Sequence, residues 1–182
     1  MKITCYPYRY RYRRNIFYHH VPWLIFYVNG DRVDHELSTG VFMIGIVIVT
    51  HCNLGDALID AAAFIIGSRP EQLESVSINI NEEAEKLRGK VASCIKKVDM
   101  KSGVLILTDM FGGTPSNISY SFLEEGRIEV LSGVNLPVLI KAIHLRKDTE
   151  LGKLAVTLET SGKKSISLAS GILKGNKRAE TS

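Results

Sequence analysis

The stretch Ile44 to Val49, IGIVIV, is a continuous run of β-branched residues and glycine with no polar face. Such a run suits a strand buried on both sides, because a half-exposed strand alternates apolar and polar residues. Burial on both sides demands helices above and below a sheet. The following sequence supplies them in alternation. LGDALIDAAAFIIG carries Leu54, Leu58, Ala61 or Ala62, and Ile65 at helical spacing, and Gly67 is placed to stop the helix. Ser75 to Ile80 reads as a strand. NEEAEKLRGKVASCIKKV reads as a helix with Asn81 as N-cap, acids in its first turn and lysines near its end. Gly103 to Asp109 is a second buried run. TPSNISYSFLEE opens a helix with Thr114 as N-cap and Pro115 at the first helical position. RIEVLSG reads as a shorter strand and NLPVLIKAIHLR as a fourth helix. The tail from Thr149 reads as helix to about Glu159, and SISLASGIL fits strand or helix. The expected architecture is therefore α/β, a three-layer α/β/α domain with a mostly parallel central sheet.

Residues 1–42 differ from the rest. They hold six of the seven tyrosines, the only tryptophan and three of the six phenylalanines of the 182-residue chain. They also carry +3 of its formal +4 charge. YPYRYRYRRN alternates aromatic and basic residues, a pattern that grips phosphates and stacks on bases. The plainer reading, favoured here, is a poorly ordered extension or upstream sequence read in frame ahead of the true start. Met43 stands directly before the first buried run, so the domain is expected to span 43–182. That body is nearly neutral, with 17 basic and 16 acidic groups, and gives no electrostatic support for binding nucleic acid. Three scattered cysteines without a CxxC fit a cytoplasmic protein, and the longest apolar run outside the core pattern is too short to span a membrane.

Ligands of open α/β sheets bind beyond the carboxyl ends of the strands. Two strand ends carry chemistry: Thr50-His51, and Thr108-Asp109 followed by MFGGTPSN. If these strands are neighbours, His51 and Asp109 face one crevice. A carboxylate that accepts the Nδ1–H bond fixes the imidazole tautomer and leaves Nε2 as the nucleophile. Gly112 and Gly113 let the backbone approach a ligand, and Thr114, Asn117 and the amides at the helix start could receive an anion such as phosphate. Each element alone has a plain alternative: an exposed histidine, a capping aspartate, an ordinary βα turn. GGTPSN has no Walker lysine, which argues against a nucleotide triphosphatase. His19 and His20 lack acidic partners at metal spacing, and His144 suits the end of a helix. Cys52, beside His51 at a helix start, would need a base placed against it to act as the nucleophile, and adjacent residues on an extended strand end point apart.

IGIVIVTHCNLGDAL, GVLILTDMFGGTPSN and IEVLSGVNLPVLIKAI together resemble, in order and spacing, the enzyme IIA domain of the mannose-type phosphoenolpyruvate:sugar phosphotransferase system, over residues 43–160. The resemblance implies that His51 accepts a phosphoryl group from the phosphocarrier protein HPr and passes it to enzyme IIB. It implies that Asp109 orients His51, and that Thr114 stands where the family often has serine. It further implies one antiparallel strand in the sheet, a homodimer with an exchanged strand near GRIEVLSGVNLP, no metal or other cofactor, and contact with the membrane only through the sugar permease. The Tyr- and Arg-rich start is outside the family pattern, and no enzyme IIB segment follows, so donor and acceptor are expected to be separate proteins. A phosphohistidine module that regulates another protein without sugar transport is the alternative of a different class, and a flavodoxin-like small-ligand binder is a third.

Overall fold

The computed structural model describes residues 43–79 and 81–173, together with the strands Trp23–Val28 and Asp31–Glu36. The chain divides into two units, Met1–Gly40 and Val41–Ser182. In the first, β1 (Trp23–Val28) pairs antiparallel with β2 (Asp31–Glu36), with Trp23 opposite Glu36 and Val28 opposite Asp31. The two residues between the strands in sequence are Asn29-Gly30, the pair favoured in two-residue hairpin loops. The Tyr-Arg alternation, His19 and His20 lie outside the described residues.

The second unit is built on four parallel strands: β3 (Gly45–His51), β4 (Leu73–Ile78), β5 (Val104–Thr108) and β6 (Ile128–Ser132). Their order across the sheet is β4-β3-β5-β6. The two central strands are the two continuous apolar runs. Ile46, Ile48, Leu105 and Leu107 face one side, where they pack with Ile59 of α1 (Leu54–Ile66), Leu139 of α4 (Leu136–Leu145), and Leu154 and Leu158 of α5 (Leu151–Lys164). Val47, Val49, Val104 and Ile106 face the other, where they pack with Leu87, Val91 and Ile95 of α2 (Ala84–Val98) and Ile118 of α3 (Thr114–Tyr120). The period-two alternation of a strand thus divides each run between two cores. The three-layer α/β/α arrangement read from the sequence is the one observed. The antiparallel strand implied by the resemblance is not part of the described sheet, whose strands run parallel throughout.

Several boundaries differ from the sequence reading for local reasons. Asn81 does not cap α2. The Asn79 side chain accepts the Asn81 N–H and its carbonyl accepts that of Glu82, so a turn intervenes and the helix starts at Ala84. Thr114 is the first helical residue of α3, with extended Gly113 at the cap position. That helix stops at Tyr120, because the Ser121 hydroxyl and N–H both turn back to the Ile118 carbonyl. α5 continues to Lys164, and the ambiguous tail forms a short helix, α6 (Ala169–Leu173). Gly67 does end α1, in the left-handed conformation at φ 86°. Among the described residues no helix is long and apolar enough to cross a membrane.

The first residue of β3 shows how tightly these layers close. A Cβ on Gly45 would lie 2.4 Å from the Val98 carbonyl oxygen and 2.7 Å from Val98 Cγ2, at the end of α2. Gly45→Ala is expected to destabilise the domain by about 1–3 kcal/mol, the range for overpacking a close-packed core. Urea unfolding of the two proteins measures this, and an unchanged midpoint would contradict it.

Candidate active site

The central pair of strands sets the geometry. Val49 of β3 lies opposite Thr108 of β5, so the two chains reach the carboxyl edge of the sheet side by side. β3 runs on through Thr50 to His51, and β5 is followed by Asp109. The two residues singled out in the sequence therefore meet. His51 Nδ1 lies 2.7 Å from Asp109 Oδ2, and the His51 backbone N–H donates to the same oxygen at 2.9 Å. The other carboxylate oxygen accepts the Met110 N–H at 2.9 Å. The imidazole is 44% exposed and the carboxylate 12%. With Nδ1 engaged, Nε2 is the ring nitrogen left for chemistry.

Burial pushes the Asp109 carboxyl up, and four effects together outweigh it: the His51 backbone N–H, the His51 side-chain bond, the His51 charge and the Met110 N–H. The net result holds Asp109 below its ordinary value near 3.8, so it is a carboxylate throughout the neutral range.

Two buried threonines secure the strand ends. Thr50 Oγ1 accepts the Gly55 N–H at 2.8 Å and ties the end of β3 to the first turn of α1. Between them the chain turns sharply at Cys52, which takes φ 50°. Thr108 donates to Ser132 Oγ of β6 at 2.9 Å, and Ser132 Oγ lies 3.1 Å from the Tyr120 hydroxyl of α3. The sequence reading marked both threonines only as neighbours of the site. The signal was present in the repeated pattern of threonine before the site residue at both strand ends, but Ser132 and Tyr120 enter only through the β5–β6 register.

Of the remaining candidates, Gly113 comes against the imidazole. A Cβ there would lie 3.1 Å from His51 Cε1. Gly112 precedes it at φ 77°, a conformation that favours glycine. Thr114 and Asn117 are exposed on the first turn of α3. Ser116 is spent on the loop itself, donating to the Gly113 carbonyl at 2.9 Å. Cys52 is an exposed free thiol, and His144 Nδ1 bonds its own helix at the Ile140 carbonyl. Among the described residues no group of three or more His, Cys, Asp or Glu is placed to hold a metal ion.

The fold and this edge define a class: a parallel α/β domain that presents a carboxylate-oriented imidazole on an open surface. Comparison with known proteins makes the assignment particular. The family described as "PTS system fructose IIA component", the EIIA-man family, matches residues 45–159, and the chain belongs to it. It is 32% identical over 138 residues to the PTS system fructose-specific EIIA component of Bacillus subtilis (strain 168), covering 75% of this chain and 94% of that protein. It is 34% identical over 128 residues to the PTS system mannose-specific EIIAB component of Escherichia coli (strain K12), covering 68% of this chain and 39% of that longer protein. Among solved structures, the phosphotransferase system component EIIA from Streptococcus agalactiae superposes with a TM-score of 0.63 at 28% identity, covering 70% of this chain and 98% of that one. Members of this family are phosphotransferase components.

Asp109 yields a pH prediction with a definite sign. Its folded pKa is depressed, so it stabilises the fold above the ordinary carboxylate range, and that contribution is lost as pH falls through the depressed value. Asp109→Asn is expected to be less stable than wild type at pH 7, with the gap closing below about pH 4. Urea titrations at several pH values measure the gap. A gap that stays constant with pH would contradict the assignment.

Proposed function

We propose that this protein is a phosphoryl carrier of a sugar phosphotransferase system, with His51 as the residue that holds the phosphoryl group. The donor is the phosphocarrier HPr and the acceptor an enzyme IIB protein. The His51 Nε2 lone pair attacks the phosphorus of the donor phosphohistidine. The new N–P bond forms as the donor's breaks, and the donor nitrogen keeps the electron pair. The reverse of this step, onto enzyme IIB, regenerates free His51. Asp109 keeps the Nδ1–H in place and balances the positive charge that develops on the ring. In this reading Thr114, Asn117 and the amides of Gly112 and Gly113 are assigned to the phosphoryl oxygens. Phosphoryl transfer asks chiefly for positioning and charge stabilisation, which these groups supply.

The observation that carries this reading is the pair of hydrogen bonds from one histidine to one carboxylate oxygen at the exposed edge of the sheet. Family membership supports it independently. A homodimer belongs to the same reading: β6 is an outer strand of the described sheet, and the segment after α5 carries Leu168 and Ile172 exposed.

Incubation with phosphoenolpyruvate, enzyme I and HPr tests the proposal. The wild type is expected to gain an acid-labile phosphoryl group and His51→Ala to gain none. Labelling retained in that variant would end the assignment. Asp109→Ala is expected to slow transfer by on the order of 10²-fold, as for loss of one positioned electrostatic partner, while remaining folded by circular dichroism. A chain beginning at Met43 is expected to fold and accept the group. An insoluble or inert product would assign residues 1–42 to the domain.

A further inference from the structure

We propose that Ser132, the last residue of β6, is a positioning residue for phosphoryl transfer at His51, an inference that rests on the carrier reading of that histidine. Its hydroxyl touches neither His51 nor Asp109. It acts on the stretch of chain that carries Asp109 and the glycine loop.

One oxygen meets both ends of that stretch. Thr108, at its start, donates to Ser132 Oγ at 2.9 Å. Tyr120, the last residue of α3, places its hydroxyl 3.1 Å from the same atom. Between them lie Asp109, Gly112, Gly113, Thr114 and Asn117. Ser132 Oγ thus joins the two ends of the segment that holds every candidate site residue except His51. The backbone beside it adds to the clamp, since the Gly133 and Val134 N–H groups both donate to the Thr108 carbonyl at 2.9 Å. A serine oxygen can serve both partners. It accepts the Thr108 proton, and it either donates its own proton to the Tyr120 oxygen or accepts the phenolic one.

This closure matters because the segment meets the imidazole at two atoms. Asp109, directly after Thr108, holds Nδ1 at 2.7 Å. Gly113, directly before α3, comes against the ring at Cε1, where a Cβ would lie 3.1 Å away. Thr108 fixes the first contact and α3 carries the second. Ser132 sets one relative to the other. Thr108 is fully buried, so loss of the serine oxygen would strip its hydroxyl of the bond it now makes, which is costly in the interior. The Tyr120 end would be released at the same time. Phosphoryl transfer depends on position above all, and a shift of about 1 Å in reacting groups costs on the order of 10²-fold. A bond lost at one remove from the ring is expected to cost less than that, about tenfold in rate.

The full chain and the variants Ser132→Ala, Ser132→Thr, Tyr120→Phe and Ser132→Ala/Tyr120→Phe test this. Acceptance by the wild type from phospho-HPr is read first, and its failure overturns the carrier reading itself. Ser132→Ala is expected to lower the transfer rate at saturating phospho-HPr about tenfold, with the half-saturating concentration within about twofold of wild type. Labelling by phosphoramidate, a small phosphoryl donor, is expected to slow by the same factor. Ser132→Thr keeps the hydroxyl and is expected to recover most of the rate. Tyr120→Phe is expected to lose about threefold, and the double variant no more than Ser132→Ala alone, because both bonds pass through one oxygen. By NMR, the His51 Nδ1 proton is expected to exchange faster with water in Ser132→Ala than in wild type. Gly45→Ala, strained at the opposite edge of the sheet, separates position from stability, and its transfer rate is expected to match wild type. An unchanged rate in Ser132→Ala overturns the proposal, as does a loss carried by the half-saturating concentration alone. No recovery in Ser132→Thr, additive losses in the double variant, an unchanged Nδ1 proton or an equal loss in Gly45→Ala also overturns it.

Discussion

One carboxylate oxygen governs the site. Asp109 Oδ2 accepts the His51 backbone N–H and, from the same residue, the ring Nδ1–H. The first bond fixes where the residue begins and the second fixes which way its ring turns. Together they leave the imidazole little choice of rotamer although nearly half of it is exposed. That pair of hydrogen bonds exists only because β3 and β5 are neighbours, parallel and in a register that sets Val49 opposite Thr108. A slip of one residue would turn every side chain of a strand to the opposite face and exchange the two cores. The hydrophobic pattern of the central strands therefore holds the geometry of the candidate site, with no separate device required.

The legible part of the sequence follows from the same fact. Strands buried on both faces read as continuous apolar runs, so β3 and β5 stood out. A polar residue at the end of such a run has left the core, which directed attention to His51 and Asp109. Helix stops that depend on one residue, such as Gly67, were legible for the same kind of local reason. What escaped depends on partners distant in sequence. The Thr108–Ser132–Tyr120 hydroxyl chain needs the β5–β6 register before its members meet. Arg146, buried at the end of α4, donates to the carbonyls of Glu71 and Gln72, more than seventy residues earlier. No periodicity announces such a contact. The start of α2 was misread because two asparagines compete for the same turn, and the earlier one, Asn79, accepts the bond.

The threonines at the two strand ends divide the labour of the site. Thr50 fastens the histidine side to α1, and Thr108 fastens the aspartate side to β6 and α3. Each hydroxyl is buried and bonded, so neither leaves an unpaired polar group in the core. Hydrogen bonds of this kind contribute modestly to net stability, about 1 kcal/mol each. Their larger effect here is on position. The loop from Asp109 to Gly113 is held at its base by Thr108 and near its middle by the Phe111–Tyr120 contact.

The proposed carrier must release what it accepts, and the geometry bears on both directions. A carboxylate at Nδ1 favours positive charge on the ring, which strengthens Nε2 as a nucleophile. Once the phosphoryl group is attached, the same carboxylate keeps the Nδ1 proton in place and the ring cationic. A cationic ring departs more readily from phosphorus, since it leaves as a neutral imidazole. In that proposal one interaction lowers the barrier to capture and to release. It does so only if Asp109 remains ionised throughout, which its depressed pKa ensures at neutral pH. Cys52, one residue further on, is an exposed free thiol at φ 50°. In the proposed carrier the bonded imidazole, and not the thiol beside it, is the group whose orientation is set by a carboxylate.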